Sequence, residues 1–141
     1  MITRTNGSKW GIKDSGVDFT PEIHSIIDNA TTFIVVCGYN FSPYNHRTSI
    51  IPRLIAQKKT GVDVLFIAPP TLWGFGNTRH TGNIQHLVNN NIGVILNSNN
   101  HSKWLLSDFG YYYGSLNFTA SSMTTKVEVV SFCDTLHRSR R

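Results

Sequence analysis

The hydrophobic residues of this chain fall into two alternating patterns. Four short runs are almost wholly apolar: Phe33 to Cys37, Val62 to Ala68, Ile92 to Leu96 and Val127 to Phe132. Runs of this length predict strands, and the lack of polar alternation predicts strands covered on both faces. Between them lie segments with helical spacing. Ile23, Ile26, Ile27 and Ala30 make one apolar face behind a start at Thr20-Pro21, with Thr20 as cap and Pro21 at the first position. Ile50, Ile51, Leu54 and Ile55 do the same over Ser49 to Thr60, which Gly61 ends. Asn83 to Asn91 predicts a third helix and Phe118 to Thr124 a short fourth. Strands alternating with helices predict an α/β fold, one domain on a mixed, mostly parallel sheet sandwiched by helices. The core is expected over residues 20–133. Residues 1–19 read as an irregular or short-strand opening broken by Gly7, Gly11 and Gly16, in which Lys9, Trp10 and Lys13 could meet a phosphate backbone. Residues 134–141 read as a basic tail.

One stretch interrupts these patterns with clustered polar chemistry. It runs from His101 to Glu128: His101-x-Lys103, four residues, Asp108, five residues, Gly114-Ser115-x-Asn117, then Glu128. These types suit work on a phosphodiester, with a nucleophile or acid (His101), cations and donors (Lys103, Ser115, Asn117) and carboxylates to orient them (Asp108, Glu128). Lys103 to Ser107 predicts a strand and Asp108-Phe-Gly110 a turn before Tyr111-Tyr112-Tyr113. Strand side chains alternate, so His101 and Lys103 share a face, as do Ser115 and Asn117, and a hairpin can gather all four at one end of a sheet. Asp108 has the opposite parity and reads as a turn or bracing residue.

This stretch resembles the signature of the phospholipase D superfamily, His-x-Lys-x4-Asp followed by Gly-Ser-x-Asn, and is most similar to its small, single-motif bacterial endonucleases. The interval from Asp108 to Gly114 is one residue shorter than the commonest pattern, and Lys126 stands where the family often has Asn. The resemblance implies an α/β sandwich, a phosphohistidine intermediate and fixed lysines in place of a divalent cation. The family's chemistry uses two histidines, and this chain holds one such motif. The resemblance therefore implies a homodimer with a composite site: His101 of one subunit as nucleophile, His101 of the other as general acid and then base. Lys103, Asn117 and Ser115 would stabilise the phosphoryl oxygens, Glu128 would hold the imidazole tautomer, and Asp108 would brace the network.

Further candidates lie outside the motif. Tyr39 and Ser42, at the end of the first apolar run, either line the pocket or pack. Trp73 and Phe75, beside Arg79 and His80 in an irregular Thr71–Gly82 segment, either stack bases and hold phosphate or tuck into the core. The six histidines and two cysteines have no metal-ligand spacing, so neither a metal nor a cofactor is expected. Cys37 and Cys133 read as buried free thiols.

A length of 141 residues fits one domain, and a formal charge of +5 favours a polyanionic partner, nucleic acid above an anionic membrane. No run approaches a membrane span, and no secretory signal is visible, so no stable membrane insertion and a cytoplasmic location are expected. Hydrolysis of DNA or RNA is the favoured reading. A phospholipase or phosphatidyltransferase, or a non-catalytic nucleic-acid-binding subunit of a larger complex, are the alternatives.

Overall fold

Each of these apolar runs forms a strand in the computed structural model, which describes residues 2–5, 8–72 and 76–134. The elements are β1 (Ile2–Thr5), β2 (Ser8–Lys13), α1 (Thr20–Asp28), β3 (Phe33–Cys37), α2 (Ile51–Lys59), β4 (Asp63–Ala68), α3 (Gly76–Asn89), β5 (Gly93–Leu96), β6 (Trp104–Ser107), β7 (Tyr111–Gly114), α4 (Ala120–Thr124) and β8 (Glu128–Cys133). The strands make one sheet in the order β1-β2-β8-β7-β6-β3-β4-β5. The fold is the expected α/β arrangement of a mixed sheet flanked by helices.

The balance of the sheet corrects the mostly parallel expectation. Only β3–β4 and β4–β5 pair in parallel among the described strands, while the other pairings are antiparallel. A parallel neighbour needs a long crossover, which α2 and α3 supply. The turn at Asp108–Gly110 is too short for one, so β6 and β7 form a hairpin.

Residues 1–19 are also more regular than expected. β2 lies inside the sheet, pairing with β8 from Ser8↔Cys133 to Lys13↔Glu128. Its partner is the last strand of the chain, so local sequence carried little sign of it. The basic tail lies outside the described residues from 135 onward.

Strand residues Ile34, Val36, Phe66, Leu105, Tyr112, Val130 and Phe132 form one core with Ile23, Ile26, Ile27, Leu54, Leu87 and Met123 of the helices. Strand residues of the opposite parity, including Trp10, Ile12, Leu106, Tyr113 and Val129, are apolar but exposed. Among the described residues, helices thus cover one face of these strands.

Two helix starts differ from expectation. Thr20 is the first residue of α1, not its cap, and its N–H donates to Asp18 Oδ1 at 2.9 Å. α3 begins at Gly76, well before Asn83. Its buried stripe is His80, Asn83 and Leu87, and two polar members hid the helical period.

Candidate active site

His101 and Lys103 precede β6 at the end of the sheet where β3 finishes. Their backbone is clamped there by the residues around them. Asn100 Nδ2 donates to the Gly38 carbonyl at 2.9 Å, the Cys37 thiol donates to Asn100 Oδ1, and the Ser102 hydroxyl donates to the same oxygen. This network was not anticipated from the sequence. It leaves His101 exposed, with its ring 4.7 Å from that of Tyr39 and its nitrogens without a hydrogen-bond partner among the described residues. Lys103 Nζ donates to the His101 carbonyl at 3.1 Å and lies 6.0 Å from the Tyr39 ring centre. Tyr39 is therefore beside the motif.

The second half of the motif leaves β7 and meets β8. Gly114 makes this possible: a Cβ there would sit 2.1 Å from the Val129 carbonyl oxygen, so a larger residue would force the strands apart. Ser115 then locks onto β8 through its N–H to the Val129 carbonyl and through its Oγ, which accepts from the Val129 N–H, each at 2.9 Å. Tyr112 braces the following turn from the core. Its phenol donates to the Leu116 carbonyl at 3.0 Å and accepts from the Leu116 N–H at 2.7 Å, and burial pushes its ionisation far above the ordinary range. Asn117 follows, with Oδ1 buried and unpartnered among the described residues.

Glu128 opens β8 beside Ser115. Burial raises its carboxyl above the ordinary value, against the pull of Lys126, Lys13, Lys103 and the Ser115 hydroxyl. Its Oε2 is buried with no partner among the described residues. Glu128 makes no hydrogen bond to the His101 of its own chain among the described residues.

Asp108 sits at the far end of β6. Its carboxylate accepts from the backbone N–H groups of Thr31, Thr32 and Phe33 and from the Thr31 hydroxyl, at 2.7 to 3.3 Å. It ties the β6–β7 turn to the start of β3. Burial pushes this carboxyl upward, but the hydrogen bonds outweigh it and hold it below the usual carboxylate value.

The remaining candidates separate. Ser42 is buried, hydrogen-bonded to Thr48, and accepts from the Ala120 N–H at 2.9 Å, so it supports the start of α4 and does not line the site. His80 is buried against the Pro69 carbonyl and near Phe41, so of its two readings it follows the tuck into the core. Arg79 reaches the vicinity of Tyr39 through Asn40, whose Oδ1 accepts from its Nη2 at 2.6 Å. Trp73 and Phe75 lie outside the described residues. Lys13 is fully buried and faces no solvent-borne backbone. Both cysteines are free and buried.

A hairpin presenting an exposed imidazole, a lysine and an asparagine, with a half-buried glutamate on the next strand, at the end of a mixed sheet defines a class of protein. Residues 23–137 match the profile of the family described as cardiolipin synthase, PLD-like domain, and the chain belongs to that PLD-like family. It is a phosphodiesterase of the phospholipase D type. Among solved structures it is similar to Nuc from Salmonella typhimurium, a phospholipase D family member, at 27% identity and a TM-score of 0.67 over 94% of this chain and 86% of that one. NucT from Helicobacter pylori shares the fold at 17% identity and a TM-score of 0.69, covering 94% and 89%. So does TrmBL2, an archaeal chromatin protein described as having a novel mode of DNA binding, at 10% identity and a TM-score of 0.59, covering 93% and 47%. No curated protein sequence matches the chain. Among the described residues, no helix is long and apolar enough to cross a membrane.

Proposed function

We propose that this protein is a nuclease that cleaves DNA or RNA through a phosphohistidine at a site shared by two copies of the chain. One observation carries the reading. A single chain brings one imidazole and one lysine to the sheet end, while Glu128 near that lysine and Asn117 of the same motif each keep a buried oxygen without a partner among the described residues. Buried polar atoms without partners are rare and costly, so this half-site is suited to a second half or a substrate.

In the proposed reaction, His101 of one subunit attacks phosphorus in line with the leaving oxygen. The P–O bond breaks as the N–P bond forms, and the protonated His101 of the other subunit gives its proton to the leaving alkoxide. That second imidazole, now neutral, takes a proton from water, which attacks the phosphohistidine and frees the first. Lys103 of both subunits neutralises the non-bridging oxygens as charge builds on them. Among the described residues no three His, Cys, Asp or Glu side chains converge as metal ligands. The positive charge and the likeness of the motif to the small endonucleases of the family favour nucleic acid over lipid.

The test is cleavage of labelled single- and double-stranded DNA and RNA in excess EDTA. EDTA-resistant cleavage that His101→Ala abolishes is expected. A folded protein that cuts no nucleic acid but hydrolyses phospholipid vesicles would overturn the nuclease reading.

A further inference from the structure

Lys13 stands apart from every other charged side chain in the described residues. It is completely buried, at 0% exposure, and no other lysine, arginine, aspartate or glutamate among them is buried. Its ammonium donates to the Val17 carbonyl at 2.8 Å and the Asp14 carbonyl at 3.2 Å, which are neutral acceptors. A cation withdrawn from water needs more than carbonyls to offset its lost hydration. The sheet supplies it. Lys13 is directly opposite Glu128 in the antiparallel β2–β8 pair, and opposite residues in such a pair project from the same face. That is the helix-covered face, since Glu128 shares its parity with buried Val130 and Phe132.

We propose that Lys13 is a positioning residue for catalysis: from the N-terminal strand it holds Glu128 as a carboxylate, ready to accept the N–H of an active-site imidazole. Glu128 needs such a cation. Its neighbours are Lys13 from β2, Lys103 from the segment before β6, Tyr112 from β7, Ser115 just after it, and Lys126 on its own approach. Lys103 is engaged with the His101 carbonyl and is free to turn to phosphate, and Lys126 is exposed. Lys13 alone among these cations is fully buried, with its ammonium held by the Val17 and Asp14 carbonyls, so its charge stays near Glu128 throughout a turnover. A protonated Glu128 would no longer fix the tautomer, and the rate would fall. The inference rests on the proposed reaction only for that last consequence.

Two measurements test it. In the unsubstituted protein, the Lys13 ¹⁵Nζ resonance should be that of an ammonium, should shift with pH as Glu128 titrates, and should lose that inflection in Glu128→Gln. This arm needs no activity, so it stands whether or not the nuclease reading does. In the rate profile, Lys13→Met and Lys13→Gln should move the acid limb upward by about one pH unit, a roughly tenfold loss on that limb with the alkaline plateau retained, while Lys13→Arg keeps the original limb. A neutral Lys13 amine, or a Nζ shift blind to Glu128, would overturn the proposal. So would a folded Lys13→Met enzyme with an unmoved limb.

Discussion

Within the His-x-Lys-x4-Asp motif, chemistry and scaffolding are separable residue by residue. His101 and Lys103 face solvent at one end of β6, whereas Asp108 is spent on four donors at the other. Asp108→Asn loses charge-assisted bonds and leaves some of these donors without a full partner. Stability should fall by roughly 1–3 kcal/mol in denaturant titration, while His101→Ala costs little stability and all activity. The pH dependence has a definite sign. The folded carboxyl is held below the unfolded value of 3.8, so its contribution is complete above that value and is lost as pH falls through the folded one. Asp108→Asn should therefore flatten the acid end of the stability curve, and an unchanged curve would assign the bracing elsewhere. The opposite parity of Asp108 was legible in the sequence. Its partners at Thr31 to Phe33 were not, because only folding brings β3 beside β6.

At the scale of elements, apolar runs located β3, β4 and β8 well because each has apolar residues on both faces, whatever covers them. Polar burial defeated the same logic. α3 was read short because His80 and Asn83 occupy core positions, where they bind the Pro69 and Ser42 carbonyls. His24 likewise ties α1 to the Thr48 carbonyl before α2. Burial depresses both imidazoles below the ordinary value of 6.5. The unfolded chain binds protons there more readily, so these groups stabilise fully above that value and lose their contribution as pH falls through their folded values. The melting temperature should drop as pH falls below about 6.5, and His80→Gln with His24→Gln should remove part of that slope at the cost of lower stability throughout. A slope unaltered by both substitutions would trace it to other groups.

For the whole molecule, the reading of one motif per chain has a quantitative consequence. If each site needs two His101 side chains, exchanging subunits between equal amounts of unsubstituted protein and His101→Ala should bring activity per subunit pair to about one quarter of that of the unsubstituted protein, not one half. A linear fall with the unsubstituted fraction would mean that each chain acts alone. The motif, its spacing and its hairpin could be read from the sequence because they are local. The clamp of Asn100 on Gly38 and the Lys13–Glu128 pairing could not, since each joins segments that meet only through the sheet order.

That sheet order also bears on how the chain comes into being. β2 has only β1 and β8 beside it, so an early-made strand waits for the last. During synthesis, β3, β4 and β5 with their crossover helices can close a unit from nearby sequence, whereas β2 has no site to occupy until β8 has left the ribosome. Until then Lys13 remains hydrated and Glu128 does not yet exist. Completion of the Lys13–Glu128 pairing is thus tied to the final long-range closure, and a nascent chain stalled before β8 would carry His101 and Lys103 without it.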